Sequence, residues 1–179
     1  MNTQIAISYA LGLVGLPYKW YRQGEPVTGD DKFYASNNPA PDPAKLHEEK
    51  KCIVCTGVIN LMRRCLNLHV PPPGTTDVWF AYLQQNDWLE PFDIHTSYPV
   101  GTLLLRDFGD MQTDQGHVAV LLENNKILHA YAEKDYDESR PDEIVGVCGI
   151  SDLDYSHYFY GDEGYYTHIC RPVHWLQKN

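Results

Sequence analysis

The first half of the chain carries apolar side chains at the spacing of helices. Residues 5–14 are apolar or small at helical intervals, with Thr3 as a candidate N-cap and Gly15 as the stop. A second helix is predicted to begin near Cys55, because one face then collects Val58, Leu61, Met62, Cys65 and Leu66. Burial of that face places this helix against the core.

Proline and polar residues separate these helices from each other and from a third. Residues 24–51 are rich in Pro, Asp, Asn and Gly, and we expect a long surface loop in which prolines break any regular element. The run Pro71-Pro72-Pro73-Gly74 ends the second helix. Thr76 or Asp77 can then cap a further helix that reaches Gln85.

The second half of the chain follows the pattern of strands. Five are predicted, at 102–106, 117–123, 126–131, 143–148 and 165–171. Helices followed by antiparallel strands indicate an α+β fold in a single domain over residues 1–179. We expect the helix that begins near Cys55 to pack on this sheet. An aromatic cluster near the C-terminus is a candidate to line a groove or to cover an edge of the core: Tyr155, Tyr158, Phe159, Tyr160, Tyr165 and Tyr166.

A cysteine and two histidines make a candidate thiol catalytic site. Cys55 at a helix start, followed closely by Gly57, would meet free backbone N–H groups that stabilise a thiolate and an oxyanion. His117 opens one predicted strand and His129 lies in the next, across a predicted turn at 124–125. We expect the two histidines to be directly opposed, so that His129 orients the ring of His117 as the base.

Five stretches of the chain occur in an order that carries a family resemblance. They are Leu13-Val14-Gly15-Leu16-Pro17-Tyr18-Lys19-Trp20, Val54-Cys55-Thr56-Gly57-Val58-Ile59, Val100-Gly101-Thr102-Leu103-Leu104-Leu105, His117-Val118-Ala119-Val120 and Leu128-His129-Ala130. They resemble the NlpC-type cysteine peptidases, papain-like cell-wall endopeptidases. The resemblance implies that fold, with Cys55 as nucleophile, His117 as base, His129 as orienting group and Tyr18 as an active-site hydroxyl.

The chain departs from this family pattern at three places. Val54 stands where the family usually has Asp, and Thr102 replaces the Asp that follows the glycine. Residues 24–51 form an insertion where the family usually has a short loop. We expect the supporting hydrogen bonds near Cys55 to differ from the family's, and the insertion to be a mobile cover over the cleft.

Composition and charge limit the partners. Hydrophobic residues make up 43% and charged residues 21% of the 179 positions, as in an ordinary globular protein. The formal net charge of -10 disfavours binding to nucleic acid or to anionic wall polymers. No apolar run reaches the length of a membrane span, so no membrane partner is expected. The absence of a leader favours a cytoplasmic location, with secretion left open.

The cysteines suggest thiol chemistry without a metal. Five cysteines, an odd number, favour a reducing compartment, and Cys65, Cys148 and Cys170 are expected to be buried thiols. Cys52 and Cys55 have the spacing of half a zinc site or of a redox pair. A second such pair and a suitable histidine spacing are missing from the sequence, so no cofactor or metal is expected.

Together these features predict a hydrolase that cleaves an amide by acyl transfer, with the Cys55 N–H and the Tyr18 hydroxyl holding the oxyanion. By resemblance, the substrate is a γ-D-glutamyl-diamino acid peptide, including peptidoglycan fragments. Three alternatives stay open: a noncatalytic binding or structural module with the same fold, a thiol amidase or acyltransferase for another substrate, and a structural zinc protein. The order Cys, His, His disfavours the permuted acyltransferases. The oligomeric state is not indicated.

Overall fold

The computed structural model describes residues 1–19, 30–36, 38–106, 116–132, 144–159 and 165–177. Within these ranges the helices are α1 (Asn2–Leu11), α2 (Pro43–Glu48), α3 (Cys55–Cys65), α4 (Thr76–Gln85), α5 (Leu153–Phe159) and α6 (Pro172–Trp175). The strands are β1 (Pro17–Lys19), β2 (Glu90–Pro91), β3 (Leu103–Arg106), β4 (His117–Leu121), β5 (Lys126–Ala132), β6 (Ile144–Asp152) and β7 (His168–Cys170).

The described strands form one antiparallel sheet of seven strands in the order β1-β6-β5-β4-β3-β7-β2. Successive side chains along each strand point to opposite faces of the sheet. Val118 and Val120 join the larger core, which contains the apolar faces of α1 and α3, whereas Ala119 and Leu121 join a smaller cluster with Leu153 of α5. Helices on an antiparallel sheet confirm the α+β fold.

Helix α3 begins at the predicted residue and packs on the central strands β4 and β5. The predicted apolar face is buried, except that Cys65 and Leu66 at its end are only half-buried. Helix α1 begins and ends three residues earlier than predicted, with Met1 rather than Thr3 at its N-cap. No helix in the described ranges is long and apolar enough to span a membrane.

The prediction that prolines exclude regular structure from residues 24–51 is wrong for the described part of that segment. Pro43 opens α2, where a missing N–H costs nothing, and the Asp42 carboxylate accepts a hydrogen bond from the Ala44 N–H at 3.0 Å. Phe33, Tyr34 and Leu46 are buried in the larger core. This segment is therefore partly a core element rather than only a surface loop.

Side chains of α1 and α3 also fix the inserted segment by hydrogen bonds to its backbone. The Tyr9 hydroxyl donates to the Pro41 carbonyl at 2.7 Å. Arg64 donates to the carbonyls of Asn38 and Pro39 at 2.9 and 3.1 Å, and it pairs with the Asp30 carboxylate at 2.9 Å. These contacts disfavour the expected mobile cover over residues 30–36 and 38–51, while residues 24–29 and 37 lie outside the described residues.

The predicted strands occur, with different limits, and the described ranges also contain elements that were not predicted: β1, β2, α5 and α6, besides α2. Strand β6 extends to Asp152, and β1 pairs with its other end through Tyr18 and Gly146. Helix α5 follows β6 directly and was not predicted. The turn between β4 and β5 spans Glu123–Asn125, one residue longer than a two-residue hairpin turn, with left-handed backbone at Asn124 and Asn125.

Candidate active site

Cys55 is the first residue of α3, and the helix end is not capped by a side chain. Val54 occupies the N-cap position with extended backbone, and its own side chain is buried in the larger core. The carbonyl of Val54 accepts the Gly57 N–H at 2.9 Å. The backbone N–H of Thr56, in this first turn, lowers the pKa of the Cys55 thiol in part. With Val54 at the N-cap, no side chain accepts a hydrogen bond from the first turn of α3 at this position.

A second backbone group and one hydroxyl also reach the Cys55 sulfur. The N–H of Val118 hydrogen-bonds it, which ties the nucleophile to the residue that follows His117. Thr76 Oγ1, at the start of α4, lies 3.8 Å from the Cys55 Sγ. Sequence reasoning treated Thr76 only as a helix cap, and no motif points to its contact with the thiol.

The charge state of Cys55 differs from the expectation of a lowered pKa. Burial raises the pKa of the Cys55 thiol, although the hydrogen bonds from Thr76, Thr56 and Val118 lower it in part. At neutral pH the thiol form is therefore favoured. A base is needed to remove the proton before Cys55 can attack a carbonyl.

The two predicted histidines meet, but not as directly opposed residues. Pairing of β4 with β5 joins Val120 to Leu128 and Leu121 to Ile127. Extension of this register sets His129 against Ala119, two residues from His117 and on the same face. A two-residue turn at 124–125 would have set His129 against Val120, so the observed turn, one residue longer, brings His129 onto the face of His117. The ring atoms His117 Nε2 and His129 Nδ1 are nevertheless 3.0 Å apart, because diagonal neighbours with long side chains can touch.

A serine that sequence reasoning missed completes a chain of hydrogen bonds. His129 Nε2 lies 3.0 Å from Ser151 Oγ of β6. Ser151 pairs with Ile127 in the β5 and β6 register and so lies diagonal to His129 on the same face. The ring of Tyr131 stacks on His129 with centroids 4.4 Å apart. His129 is thus held at both ring nitrogens and on one ring face.

Both histidines are buried and favour the neutral form. Burial, together with the nearby imidazole of His129 and guanidinium of Arg106, holds the pKa of His117 well below its ordinary value. Burial lowers the pKa of His129 to about 4. A neutral imidazole at His117 can accept a proton, so the resting site is an uncharged thiol and an uncharged base.

The strands separate where the nucleophile reaches them. Pairing between β4 and β5 stops at Val120 and Leu128, although β4 begins at His117 and β5 continues to Ala132. Backbone N–H groups point to alternate sides along a strand. The Leu121 N–H donates to the Thr102 carbonyl on the β3 side, so in a continued ladder the Val118 N–H would point toward β5. That N–H contacts the Cys55 sulfur instead. Cys55 therefore meets β4 at the opening of the ladder.

Aromatic residues and one cation line the histidine side. The rings of Tyr165 and Tyr166 lie 5.6 and 6.4 Å from the His117 ring, between centroids. Arg106 pairs with His117 across β3 and β4, and its guanidinium lies 4.5 Å from the Tyr165 ring. Two members of the predicted aromatic cluster therefore border the site. The side chains of its other members, at 155 and 158–160, lie outside the described residues.

The other predicted residues are placed as follows. Tyr18 is buried on β1 and forms a parallel bridge with Ile53, two residues before the nucleophile; its role as an oxyanion hydroxyl stays a prediction. Thr102 donates its hydroxyl to the Pro99 carbonyl at 2.7 Å, so it is satisfied within its own turn. Among the described residues, no group of three metal-ligating side chains includes Cys52 and Cys55 or any others.

Solved structures with a similar fold share little sequence with this chain. The P60 domain of an antigen from M. avium subspecies paratuberculosis aligns over 95% of this chain and 93% of its own, with TM-score 0.50 and 16% identity. NlpC2 from Trichomonas vaginalis aligns over 95% of this chain and 46% of its own, with TM-score 0.50 and 14% identity. An NLP/P60-family protein from Staphylococcus aureus, similar to a lipoprotein, covers 99% of this chain at TM-score 0.49 and 16% identity.

The chain spans 42% of the Staphylococcus protein and less than half of NlpC2. No protein-family model matches the sequence, and no curated protein matches it. A cysteine at a helix start beside an antiparallel sheet defines the fold class as papain-like. More particularly, the chain has the NlpC/P60 fold, which confirms the fold that the resemblance implied.

Proposed function

We propose that the chain is a cysteine hydrolase that cleaves an amide bond by acyl transfer. The observation that carries this proposal is the arrangement of one half-buried thiol and two buried histidines. The backbone of Val118, which follows His117 in β4, acts on the Cys55 sulfur, and the His117 ring is bonded to His129 at 3.0 Å. A nucleophile, a base and an orienting group thus lie on three adjoining elements.

In the proposed reaction, His117 removes the thiol proton as the Cys55 sulfur attacks the carbonyl carbon. Its Nε2 is engaged by His129, so Nδ1 is the ring nitrogen left to take that proton. The N–H groups at the uncapped start of α3 stabilise the oxyanion, together with the Tyr18 hydroxyl. His117 then returns the proton to the leaving amine, and water releases the acyl group.

The proposed substrate is a peptide with a γ-D-glutamyl-diamino acid bond, as found in peptidoglycan stem peptides. This choice is supported by the NlpC/P60 fold and by the motif resemblance. The rings of Tyr165 and Tyr166 border His117, the proposed base. Flat aromatic surfaces of this kind suit an extended peptide.

Selective alkylation tests whether Cys55 is activated. Cys52 is an internal control, because it is also half-buried and lies three residues away, outside α3. Limiting iodoacetamide near neutral pH, followed by peptide mapping, should modify Cys55 faster than Cys52. Replacement His117→Ala should remove this preference, since the base is lost. Preferential labelling of Cys52 that is unchanged in His117→Ala would favour the noncatalytic module.

A substrate comparison tests the bond. A γ-D-glutamyl-diamino acid dipeptide should be hydrolysed, whereas the same dipeptide with an α-linked L-glutamyl residue should not. Cys55→Ser serves as the matched inactive variant, because it keeps the size of the nucleophile and removes the thiol. Cleavage of both dipeptides, or of neither while other amides are cleaved, would favour the alternative of an amidase with another substrate.

A further inference from the structure

Ser151 ends the chain of hydrogen bonds that runs through the two histidines. Its hydroxyl lies 3.0 Å from His129 Nε2, and His129 Nδ1 lies 3.0 Å from His117 Nε2. The His129 side chain is 2% exposed, so water does not replace a lost partner easily. Each contact between ring nitrogens needs one proton, and each neutral ring has only one to give.

Only one proton arrangement leaves His117 able to act as a base. If His117 is to accept a proton at Nδ1, its own proton must be on Nε2 and must be donated to His129 Nδ1. His129 then carries its proton on Nε2. That N–H requires an acceptor, and the Ser151 oxygen lies at hydrogen-bond distance. In the opposite arrangement the Ser151 hydroxyl donates to His129 Nε2, and His117 carries its proton on Nδ1 and cannot take one from Cys55.

We propose that Ser151 is a positioning residue that accepts the Nε2–H of His129 and thereby holds both histidines in the base-competent tautomer. It does not touch the substrate. The inference rests on the proposed function for its effect on turnover, while its effect on the tautomer of His129 does not depend on turnover.

The surroundings of His129 favour this role over simple packing. Gly149 faces His129 across the strands, and Tyr131 packs over the position that a Gly149 side chain would occupy. Tyr131 holds the ring face, with centroids 4.4 Å apart. Stacking alone does not distinguish the two edges of an imidazole ring. The hydroxyl of Ser151 does so, because a ring flipped by half a turn would present a carbon to it.

The experiment compares Ser151→Ala and Ser151→Thr in the full chain. Long-range proton–nitrogen NMR spectra of histidine-labelled protein near neutral pH report the tautomer of each ring. Wild type and Ser151→Thr should show His129 protonated on Nε2. Ser151→Ala should show a mixture or the Nδ1 form, with kcat/KM lowered roughly 10-fold because a misoriented base is less effective.

Thr102→Val is the matched control, since it also removes a buried hydroxyl that makes one hydrogen bond, to the Pro99 carbonyl. It should lower thermal stability without a change in the tautomer of His129. An unchanged His129 tautomer in folded Ser151→Ala would overturn the proposal, as would a loss of activity that Ser151→Thr fails to restore. If no amide is hydrolysed but the tautomer shifts, the positioning role stands and the proposed function fails.

Discussion

The nucleophile and the histidine pair are held in different ways. Cys55 is positioned mainly by backbone: it is the first residue of α3, the backbone of Thr56 and Val118 acts on its sulfur, and the hydroxyl of Thr76 is 3.8 Å away. His117 and His129 are positioned by side chains, through two contacts of 3.0 Å that end at Ser151. One half of the site is built by secondary structure and the other by particular residues.

This difference explains which substitutions each half tolerates. A helix start provides N–H groups whatever side chain precedes it, so Val54 can replace an acidic residue and contribute to the core instead. The histidine side has no backbone substitute for an imidazole or for its acceptor. We therefore expect changes to the histidines to affect activity most, and changes near Cys55 to act through packing.

The largest expected effect is the loss of the base. His117→Ala should lower kcat/KM roughly 10⁴-fold, because general acid–base catalysis supplies a factor of this size. His129→Ala should cost only roughly 10- to 100-fold, since the proton carrier remains and its orientation is degraded. The measurement is turnover of the γ-D-glutamyl dipeptide, with folding checked by thermal melting.

Two substitutions of His129 provide the control for this prediction. His129→Asn and His129→Gln offer a carbonyl oxygen to the His117 ring N–H and should recover part of the activity lost in His129→Ala. Nearly full activity in folded His117→Ala would show that His117 is not the base. An inactive His129→Ala beside an active His117→Ala would require the roles to be exchanged.

Acid stability should depend on the histidine side. Burial lowers the pKa of His129 from 6.5 to about 4, so the unfolded chain binds a proton first as the pH falls. The stability that depends on neutral His129 is present above pH 6.5 and is lost as the pH falls toward 4. The full loss amounts to about 3 kcal/mol, and His117 adds to it in the same direction.

Urea unfolding at about pH 7.5 and about pH 4.5 measures this loss. His129→Gln has no titrating group at this position, so its free energy of unfolding should fall less between the two values than that of the wild type. Carboxylates contribute equally to both proteins and cancel in the comparison. Equal losses in the two proteins would mean that His129 is not held in the neutral form.

Local patterns predicted the elements that carry the site, but not the contacts between them. Apolar periodicity gave the start of α3 at Cys55, and alternation gave the start of β4 at His117. Direct opposition of His117 and His129 does not follow from a two-residue turn at 124–125, which would set His129 against Val120, and the observed register sets it against Ala119. The raised pKa of Cys55 and the contact of Ser151 with His129 arise from tertiary packing, which periodicity does not report.

The smallest expected effect concerns the backbone side of the comparison. A Cβ at Gly57, in the first turn of α3, would lie 2.8 Å from Ile53 Cγ1 and 2.9 Å from the Lys32 carbonyl oxygen. In an open helix Gly→Ala stabilises by about 1 kcal/mol, whereas overpacking costs about 1–3 kcal/mol. Gly57→Ala should therefore destabilise the protein by about 1 kcal/mol and slow alkylation of Cys55, because the inserted segment or the helix start must move. Gly57→Val should destabilise the protein further and slow alkylation of Cys55 further, since the larger side chain meets the same two atoms. Stabilisation by Gly57→Ala with unchanged labelling would show that this close approach does not position the nucleophile.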